Sequence, residues 1–452
     1  MSFMVAFSIA SIMLLIGFFL RAKVPFLQNM LVPSCVIAGV LGMIFMNVVI
    51  AKGWNIGTDT GMFGTIVGQL FTVSFISISL TSAPKNEENS GKNLLKGAIG
   101  MGLVWSLLYA LTPLLSFFIV AAVGKGAGMD PMYGTLIQYA FCQGPGQSVV
   151  YGDLYESYGW TNATTVAVFY ATIGFIMAFL IGIPMAKYGI KHGLAKHSGK
   201  IDDATLRGYL HEDEQTAMMV KDTTANSNIE TLALHFALIG LCYMGALGIG
   251  WLWALIPGYF GTAMSSLTFI NGMYAAYILK FIMKKLGIGY LIENTLQSKI
   301  TGWTADYLVV CAFMAVSISL IKAWLFPIIV VLILMTIVTF FVTIYFGRRM
   351  GGSNDFERTL AMFGMCTGTV PTGLALMRIV DPNFETTTAV ELGACNVVMT
   401  ASDPVYIILL GFAAGSISKG VTLASLAGLI VAYLIALRLT KTWGKPTFSW
   451  KK

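Results

Sequence analysis

The chain has 452 residues, of which 56% are hydrophobic and only 11% charged, with a formal net charge of +7. An average soluble domain carries about 25% charged residues, whereas uncharged apolar runs of about 18 or more residues, each a candidate membrane span, recur here along almost the whole length. This excludes a soluble globular protein and points to an all-α polytopic membrane protein.

Taken in chain order, spans are predicted at about 2–20, 31–50, 62–83, 97–122 and 163–186, then at 232–256, 262–283, 303–321, 324–346, 386–414 and 420–438. The first lacks a basic leader and a small-residue cleavage site, so it reads as a retained span. Cys35, Cys142, Cys242, Cys311, Cys366 and Cys395 sit singly in apolar segments, without CxxC or Cys/His spacing, and suggest neither disulfides nor a metal site. With the N-terminus outside and the C-terminus inside, 24 of the 28 lysines and arginines fall on the cytoplasmic side. Such a split is a positive-inside signal. The basic excess reflects topology, and no nucleic acid partner is implied.

One long hydrophilic segment, 187–230, holds His192, His197 and His211 and mixes both charge signs without a sustained apolar face. It is expected to be a cytoplasmic tether. A partner-binding helix around Asp203 to Met219 is the alternative.

The flanking halves, 1–186 and 231–415, are related. An offset of 222 pairs "FCQGPGQSVVYGDLYESYGWTNATTVAV" (141–168) with "FGMCTGTVPTGLALMRIVDPNFETTTAV" (363–390), with seven identities in 28 positions, among them Gly146 with Gly368 and Thr164 with Thr386. The tetrapeptide "SISL" recurs at 77–80 and 317–320. Five spans precede the tether, so the second repeat is expected to enter the membrane from the opposite side, an architecture common in secondary transporters. Residues 416–452 then form an extra span and a basic tail.

Between the fourth and fifth spans, 132–153 interrupts an apolar run with Gln-Gly-Pro-Gly-Gln-Ser, and 356–378 does so with Cys-Thr-Gly-Thr-Val-Pro-Thr. Both are predicted to be re-entrant helical hairpins, with tips at Gln143 to Ser148 and Cys366 to Thr372. Glycine allows positive φ and close approach, and proline ends a helix. Irregular backbone at membrane depth survives only inside protein or along an aqueous cavity. Half-helix N-termini at such tips attract anions, and C-termini attract cations.

These residues resemble the bacterial sodium/glutamate symporter family and, more distantly, the 2-hydroxycarboxylate transporters. The likeness is clearest in "YGWTNATTVAVFYATIGFIMAFLIGIPMAKYGIKHG" (158–193) and "GMCTGTVPTGLALM" (364–377), is looser in "LVPSCVIAGVLG" (31–42), and covers nearly the whole membrane region. The first tip departs from the family's Gly-Gly-His-Gly with Gly144-Pro145-Gly146-Gln147. Pro33-Ser34-Cys35 replaces a Pro-Glu-Pro. The resemblance implies sodium-coupled glutamate import across a bacterial cytoplasmic membrane, a homodimer, and a mobile unit carrying both hairpins against a fixed scaffold.

Glutamate presents two carboxylates and an ammonium. The tip groups that suit the carboxylates are Gly144, Gly146, Gln147 and Ser148, with Gly368, Thr369 and Thr372. For sodium, the coupling ion, the candidates are Asp403, an acid inside an apolar span, with Thr400, Ser402 and Asn396. Intramembrane acids usually mark ion or substrate pathways. No other cofactor is expected. Arg358 and Arg378, at the hairpin bases, are expected to snorkel to the interface. A symporter of another organic anion is the competing reading, and a channel fits the broken helices less well. An enzyme finds no support in the absence of an HExxH pair or a rhomboid-type serine motif.

Overall fold

Within lipid a backbone N–H or C=O finds no water, so an apolar stretch must satisfy its own peptide groups as a helix. The computed structural model describes residues 2–29, 32–81, 91–195, 204, 207–214, 221–225, 227–352, 354–381 and 385–449, and every regular element among them is helical. Helices α1 (Ser2–Lys23), α2 (Ser34–Lys52), α3 (Thr60–Leu80), α4 (Gly91–Val123), α5 (Ile137–Ser157) and α6 (Ala163–Lys191) precede the hydrophilic segment. After it come α7 (Thr231–Ala254), α8 (Tyr259–Ser266), α9 (Thr268–Lys285), α10 (Asn294–Met314) and α11 (Leu325–Gly347). Then follow α12 (Asp355–Cys366), α13 (Val370–Val380), α14 (Thr388–Met399), α15 (Asp403–Ala413) and α16 (Lys419–Leu439). Among the described residues nine helical segments are long and apolar enough to cross a membrane, and ten if α8 and α9, bent by 68°, form one span. The chain is a multi-pass membrane protein.

Three predicted spans differ in detail. The one expected at 303–321 is α10, which begins nine residues earlier and ends at Met314. Its polar opening reads as a loop, yet Gln297 is fully buried, and the Ser77 hydroxyl donates to its carbonyl at 2.9 Å. Protein, not lipid, receives that polar face. The chain then opens a short helix at Ile318–Ile321. The two "SISL" copies therefore occupy different settings, one in the last turn of α3 and the other past the end of α10. The span expected at 262–283 breaks at Leu267. That expected at 386–414 tightens at Thr400–Ser402 between α14 and α15 without leaving helical dihedrals, with Pro404 in the first turn of α15. About half of the 203–219 segment lies outside the described residues, and its described part includes a short 3-10 turn at Glu212–Glu214. Most of the loop expected at 84–96 also lies outside them, and its last part already belongs to α4.

Contacts divide the chain into two compact units. The first comprises Met1–Gly17, Ala38–Lys85 and Leu210–Ala315, and the second Phe18–Ile37, Asn86–Tyr209 and Val316–Lys452. Each draws on both sides of the hydrophilic segment, so no single cut in the sequence separates them. In the first unit α3, α7, α9 and α10 share a core of Ile76, Leu80, Ile239, Cys242, Ala275, Ala276 and Ile300. The buried His235 stitches that unit, with Nδ1 2.7 Å from the Thr231 carbonyl and Nε2 accepting the Glu293 N–H at 2.8 Å.

In the second unit α6 is the rail along which two helix–break–helix elements lie. The returning arm of α5 packs its Gly152 on Thr164, at the start of α6, and brings Gly144 to Phe175. From the other end, α12 sets Phe356 on Gly189 and its C-terminal Thr367 carbonyl on Gly174, while α13 sets Leu376 on Gly182. Residues 163 to 175 rise about 18 Å and 175 to 189 about 21 Å. The two elements therefore approach from opposite ends of α6 and meet near its middle.

Candidate functional site

The first break is a single residue. Gly144 has φ +77° and ψ −171° inside α5, a region that L side chains rarely adopt. Pro145 follows and cannot donate back to the Phe141 carbonyl. The second break is a three-residue link, Thr367–Thr369, between α12 and α13, bent at Thr367 and extended at Thr369, and α13 begins without a side-chain cap. The breaks touch. A Cβ on Gly144 would collide with the Thr369 methyl group and stand 3.2 Å from the Gly368 carbonyl oxygen. The thiols of Cys142 and Cys366 are near enough to influence each other across this junction.

Of the seven residues expected to hold substrate, all belong to this junction or to the turn beyond it. Gly144, Gly146, Gln147 and Ser148 are buried, and the Ser148 hydroxyl donates to the Gly144 carbonyl at 3.0 Å. Gly368 and Thr372 are buried, Thr369 is half-buried, and the two threonine hydroxyls are 3.2 Å apart. Buried polar groups are normally paired, but among the described residues Gln147 Oε1 has no hydrogen-bond partner, and neither amide atom of the fully buried Gln138 has one. Gln138 was not among the expected residues. Its sequence signal is an amide in an otherwise apolar arm.

Two side chains of α4 also escaped the sequence reading. Trp105 Nε1 donates to the Cys142 carbonyl at 3.0 Å, and the Tyr109 hydroxyl donates to Gln143 Oε1 at 3.0 Å. Their rings stack with centroids 4.7 Å apart, as residues four apart on one helix face can. Tyr139 and Tyr151, on the two arms of α5, stack at 4.0 Å and brace the break from within.

The expected sodium ligands are only partly gathered. Asn396, Thr400 and Asp403 are exposed at helical spacing on one face of α14 and α15, whereas Ser402 is buried on another. Each donor is used locally: Asn396 Nδ2 to the Gly393 carbonyl at 3.0 Å, Thr400 Oγ1 to Val397 at 2.7 Å, and Ser402 Oγ to Met399 at 2.7 Å. Their oxygens remain available as acceptors. Asp403 is close enough to the hydroxyls of Tyr109, Tyr151 and Tyr433 to act on them electrostatically, which connects it to the first break through Tyr109 and Gln143.

Arg358 corrects the expectation of snorkelling. It is 4% exposed and pairs with Asp355 at 3.0 Å and Glu391 at 2.6 Å. The acids outbid the interface because Glu391 sits in an apolar span and has to be neutralised there. Arg378 is exposed. Glu391 carried the same sequence signal as Asp403, an acid within an apolar run, and was missed.

Comparison with known proteins bears on this arrangement. The sodium/glutamate symporter family matches residues 1–386. The chain belongs to that family. The sodium/glutamate symporter of Escherichia coli (strain K12) is 26% identical over 383 residues, covering 83% of this chain and 88% of the relative. That of Haemophilus influenzae (strain ATCC 51907 / DSM 11121 / KW20 / Rd) is 23% identical over 399 residues, with the same coverages. Both helix breaks fall inside the matched residues. Glu391, Asp403 and the C-terminal helix lie past them.

Proposed function

We propose that the chain is a sodium-coupled glutamate importer of the bacterial cytoplasmic membrane, working by alternating access. The observation that carries this reading is the meeting of two helix breaks halfway along α6. Family membership supplies glutamate and sodium as the cargo. The glutamate carboxylates would be received by the peptide N–H groups and hydroxyls of Gly144, Gly146, Gln147, Ser148, Gly368, Thr369 and Thr372. A fixed dipole at an uncapped half-helix start suits an anion. Gln147 and Gln138 supply buried polar atoms that a bound ligand would satisfy.

The reading extends to two inverted repeats with re-entrant hairpins, joined by the 187–230 tether. A shared detail supports it. Thr164 donates to Asp153 at 2.8 Å and its sequence counterpart Thr386 to Asp381 at 2.7 Å, each tying the end of one hairpin to the span that follows. Asp403 with Thr400, Ser402 and Asn396 would serve sodium, which takes hard oxygen donors. The homodimer and the mobile hairpin-bearing unit rest on the family resemblance. The outside N-terminus and cytoplasmic C-terminus rest on the charge distribution.

Transport of another organic anion, such as a 2-hydroxycarboxylate, is the second reading. For a cargo with a single carboxylate it is favoured by the engagement of Arg358 with two carboxylates, which leaves no guanidinium from that helix for a second substrate carboxylate. Proteoliposome uptake decides between them. An inward sodium gradient should drive labelled glutamate, and Asp403→Asn should raise the half-saturating sodium concentration at least tenfold, or about 1.4 kcal/mol. Equal uptake on a proton gradient in sodium-free buffer would overturn sodium coupling. Unchanged sodium dependence in Asp403→Asn would remove that residue from the ion site.

A further inference from the structure

The base of the second helix–break–helix element holds a side-chain cluster that cargo binding does not use. The Arg358 guanidinium, in the first turn of α12, is engaged on every side. Its Nε and Nη2 donate to the two oxygens of Glu391 on α14, each at 2.6 Å, and its Nη1 donates to Asp355 Oδ1 at 3.0 Å. Glu391 also accepts from Thr387 at 2.7 Å, and packs on Gly97 of α4, where any side chain would collide with it.

The C-terminal segment closes this cluster. Asp355 Oδ2 accepts from the Thr447 hydroxyl at 2.8 Å and from the Gly351 N–H at 2.9 Å. The Gly444 and Thr447 N–H groups donate to the carbonyls of Arg349 and Arg348, both at 2.8 Å. Phe448 meets Phe356 edge-on at 5.6 Å, and Trp443 meets Phe346 at 5.1 Å beneath the Arg438 guanidinium at 3.9 Å. Residues 443–448 thus form a strap from the end of α16 to the start of α12.

A bidentate guanidinium–carboxylate pair fixes direction as well as distance. Buried pairs of this kind often contribute register more than net stability. Arg358 lies about ten residues, roughly 15 Å along the helix, from the Thr367–Thr369 link. It is too far to meet cargo there, and its charge is already matched by two acids. A continuous helix, however, transmits the depth and rotation of its base to its tip.

We propose that Asp355, Arg358 and Glu391 are positioning residues for the Thr367–Thr369 tip, and that the 443–448 strap, through Thr447, holds them in register and thereby tunes cargo affinity. The inference rests on the reading of that tip as part of the cargo site. It places a regulatory contact in a segment beyond the residues the family match covers.

The test uses the full chain in proteoliposomes. Thr447→Val keeps the shape and removes the hydrogen bond, and it should raise the KM for glutamate three- to tenfold with the maximal rate per transporter unchanged. Thr447→Ser should restore the native KM, and Arg358→Lys, which keeps the charge and loses the fork, should raise KM further. A merely structural contact would lower the amount of folded protein and leave KM alone. Unchanged KM in both Thr447→Val and Arg358→Lys overturns the proposal. A second readout does not need transport. With a single cysteine at position 369 in a cysteine-free chain, maleimide labelling should quicken several-fold when Thr447→Val is added. Equal labelling rates overturn the positioning role even if glutamate proves not to be the cargo, whereas absent glutamate uptake by the native chain with quickened labelling overturns only the cargo reading.

Discussion

The two helix breaks that meet on α6 are built differently. The first turns on one glycine in the left-handed region, and its neighbours are nearly all buried. Aromatic groups of α4 hold it at the tip, through Trp105 on the Cys142 carbonyl and Tyr109 on Gln143. The second spreads its break over three residues with a half-buried Thr369 and an exposed Pro371, and among the described residues its tip hydroxyls answer one another or their own helix. Its fixed point is at the base, in the Asp355–Arg358–Glu391 cluster. A tip held directly is rigid by local contacts. A tip held from its base can yield while the base stays in register. The first tip is thus held by direct contacts and the second from its base.

The largest expected effect breaks the base. Arg358→Met leaves two buried carboxylates without their partner, and uncompensated buried charge costs about 3–5 kcal/mol. Thermal unfolding of the purified variant in detergent should show a clear fall in Tm, larger than for any substitution at either tip. If Tm is unchanged, the second element does not depend on its base and the contrast collapses.

Next comes Gly144→Ala. An L residue held at φ +77° and ψ −171° costs about 1–3 kcal/mol, and the new Cβ also meets the Thr369 methyl group. Uptake should fall at least tenfold at normal expression. Adding Thr369→Ser removes that methyl while keeping the hydroxyl, and should recover part of the loss, because contacting residues couple. Additive effects of the two changes would show that the tips do not touch in the working protein.

The smallest effect sharpens the direct hold on the first tip. Trp105→Phe keeps the ring and leaves the buried Cys142 carbonyl without this donor, worth about 1–3 kcal/mol. Uptake is expected to drop three- to tenfold with a lesser change in Tm than in Arg358→Met. A KM shift as large as that of Thr447→Val would instead make the first element as responsive as the second.

Composition and hydropathy alone determined that the chain is helical and multi-pass, because a continuous apolar run of span length in lipid pairs its peptide groups within itself, as a helix. Glycine and proline likewise marked both breaks to within a few residues, since their dihedral limits act locally and need no tertiary partner. Polar residues were another matter. Whether Gln297 belongs to a loop or to the buried face of α10, and whether Arg358 reaches the interface or turns inward, depends on what stands opposite. Ser77 is 220 positions from Gln297, and Glu391 is 33 positions from Arg358. Only the tertiary structure brings those partners together. A charge or amide in an apolar chain is placed by the group that neutralises it, and that group's position is a property of the packed fold.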